Sequence, residues 1–127
     1  MLYNKNIGII IGGNLEFMIS VTFVEIYLER IRDLFDQRGI KNNLAIREDA
    51  IQGIHLPGAT QVYVVSAAEL LSFHRLGAMA RATAATGMNA DSSRSHSVFQ
   101  ITIQQRNIET GNITRIMNIT ISLIVSI

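Results

Sequence analysis

Strand-period and helix-period segments interleave along the 127 residues, and that order predicts an α/β fold built on a central sheet. Three segments carry the prediction. Phe17, Ile19, Val21 and Phe23 alternate with Met18, Ser20 and Thr22, the period of a strand with one strongly buried face. Ser66-Ala67-Ala68-Glu69 is a capping box that opens a helix. Phe99, Ile101 and Ile103 alternate again with Val98, Gln100, Thr102 and Gln104. The length holds one domain or part of one.

Taken in order, residues 1–13 are rich in Asn, Ile and Gly, without clear periodicity, and Gly12-Gly13 marks a break. After the first strand, Glu25 to Phe35 has helical spacing, with Tyr27, Ile31, Leu34 and Phe35 on one side and Glu29 opposite Arg32 on the wet side. Asp36 to Asn43 reads as a polar loop containing Gly39, and Leu44-Ala45-Ile46 as the start of a short strand. Arg47-Glu48-Asp49 leads into a loop through Gly53, Pro57-Gly58 makes a turn, and Gln61 to Val65 is a strand by composition. In the capping box the Ser66 hydroxyl accepts from the Glu69 N–H while the Glu69 carboxylate returns to the Ser66 N–H. Leu70, Leu71, His74 and Ala78 follow along that helix, which Gly77 and the stretch from Thr83 to Asn89 weaken. Thr110-Gly111-Asn112 is a hairpin-type turn, and Ile119, Ile121, Leu123, Val125 and Ile127 alternate once more.

Composition excludes several function classes. Eleven basic against ten acidic residues leave a net charge of +1, too balanced to imply nucleic-acid binding from a field alone. The absence of cysteine excludes disulfides and thiolate metal sites and suits a reducing compartment. His55, His74 and His96 have no spacing that makes a metal site. The apolar run from Ile116 to Ile127 is interrupted by Asn118, Thr120, Ser122 and Ser126, and is shorter than the roughly 20 residues that cross a bilayer. Ile7 to Ile11 is too short for a signal peptide. A soluble, cytoplasmic protein is expected.

The segment richest in chemistry is Met88-Asn89-Ala90-Asp91-Ser92-Ser93-Arg94-Ser95-His96-Ser97-Val98-Phe99, a polar loop running straight into a buried strand. A hydroxyl is a compact neutral ligand for Mg2+ and a donor to phosphate oxygens. Arginine adds a planar fork for a carboxylate or phosphate. Such groups sense whether a γ-phosphate is present. On composition alone a Ser-rich polar loop is more often a solvated connection, and a phosphorylation site after Arg94 is open too. A nucleophile built from Ser95 or Ser97 with His96 is disfavoured, because neighbours on a strand point to opposite faces and no orienting acid is near.

Asn89-x-x-Ser92-Ser93-Arg94-Ser95-His96, followed by Phe99, is similar to the switch I signature of the kinesin superfamily. Myosins share Asn-x-x-Ser-Ser-Arg but continue with Phe-Gly, so Ser95-His96 favours kinesin. Four further stretches resemble that family in the same order: Val21 to Leu34, Asn43 to Asp49, Gly58 to Val62, and Arg81 to Asn89. The resemblance spans residues 14–111, with 1–13 as a non-family extension and 112–127 as an Ile-rich non-family tail. Gln104 to Gly111 resembles conventional kinesin heavy chains, the fungal ones in particular.

The resemblance implies a partial kinesin-type motor domain: a central mixed β-sheet flanked by helices, incomplete at both ends. It implies ATP and Mg2+ as cofactors and microtubules as partner, with no nucleic acid, no membrane insertion, and a heavy-chain dimer only in a full-length parent. By the same resemblance Ser93 supplies a hydroxyl to Mg2+, Ser92 sits by the attacking water, Asn89 approaches the phosphates, and Arg94 pairs with a switch II glutamate. His96 and Phe99 anchor the loop to the sheet. Arg47, Glu48 and Asp49 lie on the microtubule-facing loop, where Ala50 to Pro57 stand in place of the basic residues of conventional kinesins.

Two family parts do not occur in these 127 residues. There is no Gly-x-x-x-x-Gly-Lys-Ser/Thr, and Arg115 to Ile127 replaces the switch II segment Asp-Leu-Ala-Gly-Ser-Glu. The isolated chain is therefore expected to be catalytically inactive, a fragment of a microtubule motor. The alternatives are a non-catalytic microtubule-binding or regulatory module, a truncated gene product, which the Asn/Ile-rich flanks suggest, and an unrelated α/β domain. Exposed edges such as Phe99 to Ile103 and Ile119 to Ile127 are expected to promote aggregation.

Overall fold

A computed structural model describes residues 2–4, 9–51, 53–87, 95–109 and 112–126, with side-chain surroundings for 11–51, 53–81, 95–107 and 119–124. Strand β1 (Leu2–Asn4) pairs with β2 (Ile9–Gly12), which turns through Gly13-Asn14 into β3 (Leu15–Tyr27). Gly13 has a φ of +62°, the left-handed conformation such tight hairpins demand. The break expected at Gly12-Gly13 is thus a turn within the sheet.

The helix expected over Glu25 to Phe35 is absent. β3 continues to Tyr27, and the chain reverses through Leu28 and Glu29 into β4 (Arg30–Asp33), pairing Ile26 with Ile31 and Glu25 with Arg32. Leu28 and Glu29 adopt φ of +49° and +62°, a conformation that costs non-glycine residues roughly 1–2 kcal/mol each. Neither residue announces a turn, and the short apolar run fits either period. Ladder pairing and the Leu34 N–H donated to the Phe23 carbonyl at 2.9 Å keep the segment on the sheet. Arg32 consequently pairs across the hairpin with Glu25, Nη2 to Oε1 at 3.0 Å, and not with Glu29.

The loop after β4 is closed by two carboxylates. Buried Asp33 accepts from the N–H groups of Phe35 (2.9 Å) and Thr60 (2.7 Å). Asp36 accepts from the N–H groups of Arg38, Ile40 and Lys41. The backbone N–H of Lys41, reinforced by Arg38, holds the Asp36 carboxyl below the ordinary value of 3.8. A depressed carboxyl stabilises the fold above its unfolded-state value and loses that contribution as pH falls through the folded value. Asp36→Asn is therefore expected to lower the urea midpoint at neutral pH, with the gap to wild type closing below pH 3.8. An equal gap at both pH values would contradict this.

The strand expected to begin at Leu44 begins three residues later, at Arg47. Leu44 donates its N–H to the Ile31 carbonyl, and β5 (Arg47–Asp49) pairs with β6 (Gly53–His55) as a separate hairpin. Gly53, at φ +69°, sets that register, so the segment read as a loop is a strand. β7 (Val62–Val64) lies within the predicted Gln61 to Val65. The capping box holds with one shift: Glu69 N–H donates to Ser66 Oγ (3.1 Å), while Glu69 Oε2 accepts from the Val65 N–H (2.8 Å).

Helix α1 (Ala67–Gly87) crosses one face of the sheet, and β8 (His96–Glu109) and β9 (Asn112–Ser126) complete it. β3 is the spine. β8 runs along one of its edges from Leu15 to Ile26, while β2, β7 and β4 share the other in succession. β9 pairs along β8 to the final rung Glu109–Asn112, so β8 is interior and the edge expected at Phe99 to Ile103 does not exist. Thr110 and Gly111 of the expected hairpin turn lie outside the described residues. Every pairing among the described strands is antiparallel. Parallel strands of a mixed sheet would have to come from outside them.

The core lies between α1 and the sheet: Val21, Phe23, Leu34, Phe35, Val64 and Phe99, with Leu70, Phe73 and Ala80 packed from the helix. Phe23 is its centre, edge-on to Phe99 at 5.1 Å and to Phe35 at 6.0 Å, and stacked on His74 at 5.4 Å. Gly77 rides directly over that ring, and a Cβ there would overlap Cδ1 of Phe23. The glycine that reads as a weak point in the helix is the residue that lets helix and sheet meet. Leu71 and Ala78 are exposed on the helix. Among the described residues no helix is long and apolar enough to cross a membrane.

Candidate functional site

The loop singled out in the sequence begins as α1 ends and finishes as β8 starts. Asn89, Ser92, Ser93 and Arg94 lie outside the described residues, as do Met88, Ala90 and Asp91. Both stems of the loop are described, and one side chain joins them.

The apolar row on the helix-facing side of β3 runs Ile19, Val21, Phe23 and then Glu25; on β8 it runs Ile101, Phe99 and then Ser97. Glu25 and Ser97 are register partners, so both rows end in polar groups at the same level. Arg81, one turn beyond Gly77, comes down onto them. Its Nε donates to Glu25 Oε2 at 3.0 Å and its Nη1 to Ser97 Oγ at 2.9 Å. Its Nη2 donates to Ser95 Oγ at 2.7 Å and to the Ser95 carbonyl at 3.2 Å. The other oxygen of Glu25 takes Arg32. Glu25, Ser95 and Ser97 are buried, at 8%, 2% and 3% exposure, so these bonds operate where water competes little.

Arg81 therefore clamps the C-terminal stem of the loop to the helix from which its N-terminal stem emerges. Sequence reasoning missed the clamp because the helix expected from Glu25 onward took that residue off the inward row of β3. The available signal was the strand parity: an acid at the next inward position after Phe23 needs a cation to be buried at all.

His96 and Phe99 were the expected anchors. Phe99 is in the core, edge-on to Phe23 and His74, whereas the His96 ring is exposed. Arg47, Glu48 and Asp49 form the exposed strand β5. Asp49 Oδ2 lies 3.6 Å from His55 Nε2, and its Oδ1 accepts from the Ile51 N–H. Ile51 and Ile54, at 96% and 75% exposure, give that hairpin an apolar tip.

Asn89, Ser92 and Ser93, which the resemblance assigns to ATP and Mg2+, are not among the described residues. The described residues contain no group of three His, Asp or Glu that could hold a metal. Their one arginine beside the loop has Nε, Nη1 and Nη2 all committed to protein oxygens, leaving it unavailable for a phosphate. What the arrangement can do is fix where the loop leaves the sheet.

A family model for the kinesin motor domain matches residues 4–124, reaching past 14–111 at both ends. Kinesin-related protein 3 of Dictyostelium discoideum is 46% identical over 100 residues, which are 79% of this chain and 8% of that protein. The kinesin heavy chain of Neurospora crassa is 46% identical over 101 residues, 80% of this chain and 11% of that protein. A solved structure, "Structure of a fast kinesin: Implications for ATPase mechanism and interactions with microtubules", superposes with a TM-score of 0.78 at 42% identity. It covers 89% of this chain and 30% of its own. The chain thus spans only 8–11% of the length of these curated relatives.

Proposed function

The chain belongs to the kinesin motor-domain family, and from that premise we propose that it is the central portion of an ATP-dependent microtubule motor whose 127 residues alone are catalytically inactive. The observation that carries the second half is the absence from these residues of a Gly-x-x-x-x-Gly-Lys-Ser/Thr loop. Backbone N–H groups of such a loop cradle the phosphates, and its lysine and hydroxyl meet the γ-phosphate and Mg2+. Bound Mg2+–ATP supplies the phosphoryl group and the charge that a switch loop senses. In this chain Asn89, Ser92 and Ser93 are the groups for that role, Ser93 toward the metal, and Arg94 is the group for a switch II carboxylate. Arg81 with Glu25 supports them by fixing the loop's exit, which is what a sensor needs in order to pull on the sheet.

In this reading residues 14–111 carry the family's motifs, while 1–13 and 112–127, into which the family model extends, depart from them. Microtubule contact is assigned to β5, with Arg47, Glu48 and Asp49. One cation against two carboxylates attracts acidic tubulin weakly. Cytoplasmic location on the microtubule cytoskeleton follows from the same reading.

Co-sedimentation with microtubules in the presence and absence of ATP tests the assignment. The bound fraction is expected to be the same in both, with phosphate release at background. Nucleotide-dependent release from the microtubule would overturn the inactivity. The exposed β5–β6 hairpin, with Ile51 and Ile54 at its apolar tip, favours as second reading a non-catalytic microtubule-binding module. Complete absence from the pellet would remove both.

A further inference from the structure

We propose that the β3–β4 hairpin is a lever on the stem of the loop between α1 and β8, and that opening the hairpin's tip releases that stem. Glu25 has a register partner on each side, Arg32 on β4 and Ser97 on β8, so the three side chains stand on one face of the sheet at one level. The Glu25 carboxylate joins the two sides. Its Oε1 accepts from Arg32 Nη2 and its Oε2 from Arg81 Nε, each at 3.0 Å. Arg81 also holds Ser95 and Ser97. A carboxylate pinned at both oxygens by two guanidinium groups keeps one orientation. With Arg32 withdrawn, Oε1 loses that donor and the side chain regains rotamer freedom beneath Arg81.

The weak point of the lever is its tip. Tyr27 pairs with Arg30 across a two-residue turn whose central residues, Leu28 and Glu29, are both at positive φ. Asn and Gly suit such a turn, whereas Leu and Glu adopt it at a steric cost. The other end of β4 is fixed. There the Leu34 N–H meets the Phe23 carbonyl, and Asp33 accepts from the N–H groups of Phe35 and Thr60. The base therefore holds while the strained tip opens, and Arg32 stands only two residues beyond Arg30. Hairpin register decides whether Arg32 meets Glu25 at all, since a slip of one residue carries it to the other face. Leu28 is 60% exposed and Glu29 is exposed too, so the turn can be changed without touching the core.

Leu28→Asn together with Glu29→Gly supplies the favoured turn. In the 127-residue chain it is expected to slow hydrogen exchange at the Ser95 to Val98 amides by about threefold or more. Leu28→Pro, whose ring cannot take a positive φ, is expected to speed exchange there by a similar factor. The Val62 to Val64 amides, on a strand that pairs with β3 away from Glu25, are expected to hold steady in both variants. With Arg32→Met in place, the Asn-Gly turn is expected to leave the stem amides at the rate of Arg32→Met alone, and Arg32→Lys to keep part of the response. Exchange is read without nucleotide, so the outcome is separate from the sensor role proposed for the loop. Stem exchange indifferent to both turns, an equal change at the stem and at β7, or an Asn-Gly effect undiminished by Arg32→Met would each overturn the lever.

Discussion

Arg81→Met is expected to destabilise the chain by about 3–5 kcal/mol, the cost of removing one partner from a buried ion pair and leaving the other uncompensated. Glu25 would keep only Arg32, and the buried Ser95 and Ser97 hydroxyls would each lose their partner. Small domains hold together by about 5–15 kcal/mol, so the loss is a large share of the total. Arg81→Lys keeps the charge but not the fork that reaches three residues at once, and is expected to recover only part of it. Urea unfolding gives the magnitude, and hydrogen exchange locates it. Protection is expected to fall first at the Ser95 to Val98 amides. A loss below about 1 kcal/mol would mean that the clamp is no stronger than an exposed pair.

Phe23→Ala is expected to cost about 3–5 kcal/mol, as for large aromatic truncations in packed cores. The ring is 3% exposed and contacts Phe35, His74 and Phe99, so no single neighbour can collapse into the space. Its relation to Gly77 gives a sharper test. Gly77→Ala gains about 1 kcal/mol of helix propensity. It must also displace Phe23 or lift α1, an overpacking that costs about 1–3 kcal/mol. In wild type the steric term is expected to win. In the Phe23→Ala background the obstacle is gone, and Gly77→Ala is expected to be neutral or stabilising. A double-mutant cycle measures the difference; additive effects would place α1 farther from β3 than the structure does.

Periodicity revealed what depends on one face being buried. The alternation Phe17 to Phe23 and Phe99 to Ile103 is the pair of long strands, and the serine–glutamate cap marks where the helix begins. It failed where pairing outweighed spacing. Tyr27, Ile31, Leu34 and Phe35 suit a helical stripe, yet Leu28 and Glu29 reverse the chain without any glycine, asparagine or proline to announce it. That error hid the clamp, since Glu25 joins Arg81 only if β3 is still a strand at that point. Gly77 was misjudged for a related reason: local propensity records the cost of glycine in a helix and nothing of the ring beneath it. The loop residues Asn89, Ser92, Ser93 and Arg94 were legible as a motif because their chemistry is local. The anchor that positions them was not, because it is assembled from β3, α1 and β8.

Under the proposed function, residues 89–94 form a sensor loop whose stem Arg81 holds, in 127 residues that lack a Gly-x-x-x-x-Gly-Lys-Ser/Thr motif. Isothermal titration of the folded 127-residue chain with ATP and Mg2+ tests it most directly. No saturable heat is expected up to millimolar nucleotide; a saturating isotherm with a micromolar Kd would contradict the proposed inactivity.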